Sequence, residues 1–294
     1  MDRISFQQAS DLASKLLKNG FKPIEKGKNN WVFEGANRIL SIPRHTRVKS
    51  YAIRVAATYK LASEGVPVAE ILEYFEGNEE IPEYLIVRKI DGANVDLKGI
   101  SETERECMHY SAGEILNRIH RINIEGYGRL EADLKGNKLS WKDFLDSFFE
   151  ESLGRVKQNP ELSDRYASIL IEEYNKGKEN IMPLKNSSFL HADFHLGNLL
   201  FKNGKVVAVL DLDIVTSGDP NWDTGHYCHT FNIDRINGVV SFRKGYGKDV
   251  DLEAERLYCL IIWTRKIGSQ AMQRPEALKE TIPELERIIG GKIW

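Results

Sequence analysis

No run of apolar residues in this chain approaches the roughly 18 needed to span a bilayer, and Met1-Asp2-Arg3 lacks the pattern of a secretory leader. A membrane role is not expected. Cysteine is scarce as well: Cys107, Cys228 and Cys259 are odd in number and scattered, which suits reduced thiols in the cytoplasm rather than a disulfide framework. An excess of either charge is missing, since 41 basic and 43 acidic residues leave −2, so neither a nucleic-acid footprint nor a charged tail is implied. His226, Cys228 and His229 lie close together but fit no zinc spacing and have no second ligand pair. Repeats and low-complexity tracts are absent. What remains is ordinary globular material, 41% hydrophobic and 29% charged, long enough for one large domain or two lobes.

The informative stretch runs from His191 to Asp211. Leu199-Leu200-Phe201 and Val206-Val207-Ala208-Val209-Leu210 read as strands, and Asn203-Gly204 between them is a type I′ turn signal. Counting out from that turn pairs 202 with 205 and 198 with 209, so Asp211 returns beside Asn198. An amide oxygen and a carboxylate brought together can hold Mg²⁺, a hard cation that keeps substrate phosphates in its shell. Asp193, in the same loop, is then free to take a proton from an attacking hydroxyl. The bland alternative is a polar surface turn followed by a strand-end carboxylate.

With His191, Asp193, Asn198 and Asp211 in the order H-x-D-x-x-x-x-N and a downstream Asp, the stretch resembles protein-kinase-like enzymes. His191-Ala192-Asp193 replaces His-Arg-Asp, and Asp211-Leu212-Asp213 replaces Asp-Phe-Gly. Adding His195, Gly197 and Gly218-Asp219-Pro220-Asn221-Trp222-Asp223, the chain is similar to the aminoglycoside phosphotransferase family of small-molecule kinases, hygromycin-type enzymes among the nearer members. The resemblance implies a two-lobed α+β protein-kinase-like fold, with an antiparallel sheet lobe and hinge over 1–91 and a mainly helical lobe over 92–294. It also implies Mg²⁺ on Asn198 and Asp211, ATP or GTP as donor, Asp193 as base, an aminoglycoside-type acceptor and a monomer. Asp219 and Asp223 resemble carboxylates that brace the catalytic loop, and Asp213 either touches a second metal or faces solvent. A metabolite kinase acting on choline, a hexosamine or an amino alcohol is the alternative acceptor class.

Upstream, Ser5-Phe6-Gln7-Gln8 is a capping-box start to a helix with Ala9, Leu12, Ala13, Leu16 and Leu17 on one face. Strands follow over 21–25, 31–34 and 38–43. Lys26-Gly27-Lys28-Asn29-Asn30 joins the first two, where such kinases cover the nucleotide phosphates, and Lys28 is a candidate contact. The third strand carries Ser41 where the family pattern has a phosphate-steadying lysine, and the helix expected over 46–63 contains no Asp or Glu to pair with one. Both partners are missing together, which leaves a charge deficit for Lys28, Arg44, Lys49 or Arg54 to meet. It also raises a rival reading, a non-catalytic nucleotide-binding pseudokinase.

Strands over 67–76 and 83–90 complete the lobe, and the second resembles the family's hinge strand, with purine contacts expected at the backbone of Arg88 and Ile90 and Ile86 closing the pocket. A capped helix begins at Ser101 and ends near His120, read as a packed histidine. Trp141, Phe144, Leu145, Phe148 and Phe149 mark a helix whose aromatics either line a substrate cleft or, the better fit, pack into the core. Asp143, Asp146, Glu150 and Glu151 on that helix could receive a polycation or simply form a solvated face. Residues 252–267 read as a buried helix and 283–289 as a final amphipathic one.

Overall fold

The Ser5 hydroxyl accepts from the Gln8 backbone N–H and the Gln8 side-chain oxygen accepts from the Ser5 backbone N–H, starting α1 (Phe6–Leu17) as its sequence predicts. Ala9, Ala13 and Leu17 fall on one face and pack it against Phe33, Leu40 and Ile42. Those residues belong to a sheet of β1 (Lys22–Ile24), β2 (Asn30–Glu34), β3 (Arg38–Pro43), β4 (Ile71–Phe75) and β5 (Tyr84–Arg88), antiparallel throughout in the order β1-β2-β3-β5-β4. The computed structural model describes residues 4–18, 20–24, 29–45, 51–95, 99–230 and 237–291. β1, β4 and β5 are shorter than the stretches that announce them, β3 has the expected bounds, and β2 begins one residue earlier.

Between β3 and β4 lies α2 (Ala52–Ser63), whose first expected residues, 46–50, fall outside the described part. Its buried face does not join the sheet's own core. Ala57 and Leu61 pack instead with Met108, Leu116, Leu199 and Phe201, which belong to the larger, helical part of the chain. Backbone bridges Val68↔Val209 and Ala93↔Phe201 tie the two parts further.

Beyond residue 99 the chain is mainly helical: α3 (Glu102–Ile119), capped by Ser101, is followed by the short strands β6 (Asn123–Ile124), β7 (Tyr127–Leu130) and β8 (Gly136–Lys138). Next come α4 (Trp141–Lys157) and α5 (Pro160–Lys178), each with a side-chain N-cap. Then β9 (Ser187–Leu190), the hairpin β10 (Leu199–Lys202) and β11 (Lys205–Val209), and β12 (Thr216–Gly218) lead into α6 (Asn221–Thr230), α7 (Asn237–Tyr246), α8 (Leu252–Gln273) and α9 (Leu278–Ile289).

Two cores organise this part. In one, α3 crosses α7 so closely that a Cβ on Gly113 or Gly245 would collide with the facing carbonyl of Phe242 or Tyr110. In the other, α4, α5, α8 and α9 enclose Phe149, Tyr174, Tyr258 and Ile261. Phe149 stacks on Tyr174 at 3.9 Å, a contact of the kind worth about 1 kcal/mol beyond area burial. Among the described residues, no helix is long and apolar enough to cross a membrane.

Candidate active site

The hairpin sets the site's register. Asn203 and Gly204 take φ of 52° and 73°, as a type I′ turn requires, and Lys202 pairs with Lys205 as expected. A bulge between Leu200 and Phe201 shifts the outer end by one residue, so Val209 faces Leu199 rather than Asn198. Asn198 is met by Leu210, whose N–H donates to its carbonyl at 2.8 Å. Asp211 still returns next to Asn198, one step later than the count predicted.

The loop before the hairpin is held from beneath. Asp223, in the first turn of α6, is fully buried and accepts from the backbone N–H of His191 (2.7 Å) and Ala192 (2.8 Å) and from the His120 ring (3.1 Å). These bonds fix Ala192 in the left-handed region at φ 65°, an unfavourable place for a residue with a Cβ. Asp219 does a different job from the one expected. It caps α6 through Asn221 and accepts from the Tyr258 hydroxyl (2.8 Å), bracing helices rather than the loop.

Within the loop, hydrogen bonds assign the histidine protons. The His191 Nδ1 accepts from the Asp193 N–H, leaving Nε2–H to donate to the Leu210 carbonyl (2.8 Å). The His195 Nδ1 accepts from Gly197, so its Nε2–H faces the Asp193 carboxylate at 3.6 Å. His226 faces the other carboxylate oxygen at 3.7 Å. Burial pushes the Asp193 carboxyl up, but the surrounding imidazoles, His195 foremost, more than offset it and hold the group down at about 2. Burial drives His226 the opposite way, to about 4, so it is neutral at physiological pH.

Asn198 donates its amide to the Asp193 carbonyl (2.9 Å) and carboxylate (3.0 Å), which turns the amide oxygen away from Asp193. Asp211, at φ 59°, has its carboxyl raised by burial, then by the Asp213 charge, with a further contribution from Asp193. The carboxylates of 193 and 211 are therefore near enough to repel one another. Asp213 reaches Arg54 at 3.6 Å, and its buried Oδ1 has no hydrogen-bond partner. Two carboxylates short of positive charge beside a free amide oxygen fit a hard divalent cation completed by phosphate oxygens. No group of three His, Cys, Asp or Glu forms a metal cage among the described residues, so His226, Cys228 and His229 make none.

The position of the absent lysine is filled by a neutral pair. Ser41 Oγ and Tyr51 OH lie 2.7 Å apart, Tyr51 also donates to Asn30 (2.9 Å), and the Tyr51 N–H donates to Glu83 (2.9 Å). Of the four cations considered as substitutes, Lys28 and Lys49 lie outside the described residues, and Arg44 is laid over Trp31 at 3.9 Å. Arg54 is the one directed at the aspartates. At the hinge, the N–H groups of Arg88 and Lys89 are already given to the carbonyls of Glu70 and Asn37. Of the two backbone positions expected to meet the purine, Arg88 therefore has its N–H engaged within the protein.

Asp193, Ala192 and Asp213 open onto a cavity of about 710 Å³. Its lining includes the apolar Phe144, Phe148, Trp222 and Ile262 and the cations Arg129, Arg155, Arg265 and Lys266. Phe144 is core, at 4% exposure, and cavity wall at once, and Phe148 packs against that core while lining the cavity, so both readings of these aromatics hold, whereas the arginines beside them were not foreseen. The signal available was a cationic pair, Arg265-Lys266, in a helix otherwise read as buried. Of the four acidic residues on α4, only Glu151 lines the cavity, and Asp146 is taken by Tyr174 and Lys178.

An antiparallel sheet lobe, a helical lobe, and a proton acceptor beside two oxygen donors at their junction define a kinase-like phosphotransferase fold. The chain belongs to the phosphotransferase enzyme family, whose model matches residues 20–258. It is 28% identical over 178 residues to acyl-CoA dehydrogenase family member 11 of Pongo abelii, covering 57% of this chain and only 21% of that protein. It is 25% identical over 170 residues to hygromycin-B 4-O-kinase of Escherichia coli, covering 56% of this chain and 48% of that one. Its fold matches aminoglycoside phosphotransferase APH(4)-Ia, solved as a thermostable mutant with AMP-PNP and hygromycin B, at a TM-score of 0.72 and 18% identity, over 95% of this chain and 97% of that one. The chain spans less than half the length of the two curated relatives named here.

Proposed function

We propose that the chain is a small-molecule kinase that transfers the γ-phosphoryl of ATP or GTP to an alcohol. The observation carrying this is that Asp193, held ionised at the mouth of the cavity, is hydrogen-bonded to Asn198, and that the Asp211 carboxyl is close enough to feel its charge. Asn198 and Asp211 would hold Mg²⁺, which supplies charge neutralisation at the phosphates. Asp193 orients the acceptor hydroxyl and takes its proton as the oxygen attacks phosphorus. Asp223 keeps that carboxylate in place through the loop backbone, and Arg54 contributes the positive charge that Ser41 does not. Ile90 offers its N–H to the purine, with Arg88 beside it, and Lys28 is kept as a phosphate contact. In-line phosphoryl transfer asks for little beyond such positioning and charge.

The domain division at residue 91 serves this reading, with the nucleotide between the sheet lobe and the helical lobe. The cytoplasm is the matching compartment, where nucleoside triphosphate is present and the three free thiols stay reduced. All groups named come from one chain, so the monomer is taken as the working unit. The likeness to hygromycin-B 4-O-kinase brings an aminoglycoside-type acceptor into the panel, and the charges lining the cavity tell for or against it. Retention of the whole Asp193, Asn198 and Asp211 set speaks against a pseudokinase.

The test is incubation with labelled ATP or GTP, Mg²⁺ and a panel of aminoglycosides, amino alcohols and other small alcohols. Transfer of label, lost in Asp193→Ala, is expected. Nucleotide binding with no transfer to any alcohol would instead favour a binding module.

A further inference from the structure

The cavity beside Asp193 is lined by four cations, Arg129, Arg155, Arg265 and Lys266, against three carboxylates, Glu151, Asp193 and Asp213, and three of the cations gather on one of those carboxylates. Arg129 (2.9 Å), Arg155 (2.9 Å) and Arg265 (3.0 Å) all contact the single carboxylate of Glu151. One carboxylate leaves two guanidinium charges uncompensated. Arg155 and Arg265 are the better sheltered, with side chains 29% and 32% exposed, while Arg129 is half exposed and screened. Arg265 and Arg129 also lie over the Phe148 ring, at 4.8 and 5.9 Å, and Arg155 is pinned by Ser269 (3.0 Å). Lys266, over Trp263 at 4.0 Å, also lines the cavity, but it feels the charges of Glu284 and Asp193 and is not a further uncompensated cation.

A second observation points the same way. Trp222 lines this cavity, is 3% exposed, and its buried Nε1–H has no hydrogen-bond partner. An orphaned donor in a cationic pocket is complete only when an acceptor arrives from outside. The same cavity has apolar lining as well, with Phe144, Ile214 and Ile262.

Resting on the kinase reading above, we propose that the acceptor is an alcohol carrying an oxyanion, carboxylate or phosphate, at the far end of an apolar body. The oxyanion is bound by Arg155 and Arg265, and the hydroxyl at the other end meets Asp193. The arginines stand on α4 and α8, on the acceptor side of Asp193, whereas the nucleotide phosphates belong with Asn198 and Asp211.

The test compares kcat/KM, at saturating MgATP, for hydroxyhexanoate and hydroxyhexyl phosphate against hexanediol, with kanamycin as the polycation. The two anions should exceed the diol by about tenfold or more, the value of a charge-assisted hydrogen bond, and kanamycin should fall below it. R265Q, and separately R155Q should either fail to fold, should remove most of that preference by raising KM for the anions without raising KM for ATP. If only one anion is preferred, that arm names the oxyanion. Equal use of anion and diol, whether at a measurable rate or at none, overturns the inference, as does an R265Q effect on ATP alone. Failure to bind MgATP would instead overturn the kinase reading, and calorimetric titration with MgATP reads that separately.

Discussion

Ser41 and Tyr51 share a 2.7 Å hydroxyl hydrogen bond at the place where kinases of this shape carry a lysine. Tyr51 is 2% exposed and burial pushes its hydroxyl well above its ordinary range, so the pair is neutral at all working pH values. Ser41→Lys would put an ammonium into this buried position and break the bonds to Tyr51 and Asn30. A stability loss of about 3 kcal/mol or more, read from the urea midpoint, is expected, with no gain in nucleotide affinity. A variant that folds normally and binds ATP more tightly would show that the charge deficit is real and unmet.

Arg54 is expected to meet that deficit. Arg54→Ala should raise KM for MgATP several-fold, on the order of 1 kcal/mol, and affect acceptor KM little. An unchanged nucleotide KM would pass the role to one of the residues outside the described part.

The two aspartates should separate by function. Asp193→Ala should cut kcat by about 10² to 10⁴ while MgATP still binds, whereas Asp211→Ala should weaken MgATP binding as well. Calorimetric titration of both variants decides. Chelation of Mg²⁺ should mimic the second and not the first.

Asp223 leaves two backbone N–H groups unsatisfied when removed. Asp223→Ala should cost about 3 kcal/mol or more of stability and slow turnover through the loop, although the residue is far from any substrate atom. A full-rate variant would mean that Ala192 keeps its left-handed conformation without help.

The pH dependence of stability should be dominated by histidine. Asp193, depressed to about 2, contributes stability present above its unfolded value near 3.8 and lost only as pH falls toward 2. His226, held neutral, contributes stability complete above its unfolded value near 6.5 and lost as pH falls from there toward about 4. Melting temperature should therefore decline between pH 6.5 and 4, and His226→Asn should flatten the slope. A curve of the same steepness in the variant would assign the decline to His229, which burial lowers as well.

The site's skeleton was legible because it is local. Asn203-Gly204 demands one turn type, that turn fixes the partners of Asn198, and the motif places Asp193 five residues before it. The single-residue slip came from a bulge, which leaves no mark in an alternating apolar strand. The acceptor wall was illegible for another reason. Arg129, Arg155 and Arg265 come from three separate elements, and their meeting at Glu151 depends on how α4 and α8 cross. Likewise nothing in Trp141-to-Phe149 distinguishes Phe149, stacked in the core, from Phe148, which faces the cavity.

Ala57 and Leu61 anchor α2 in the interior of the large lobe, with no carboxylate on that helix for a strand lysine to find. In kinases governed by swinging the corresponding helix, activity is toggled by making and breaking such an ion pair. Here there is neither a latch to break nor a lever free to swing. Control would have to come from how much protein and how much acceptor the cell supplies.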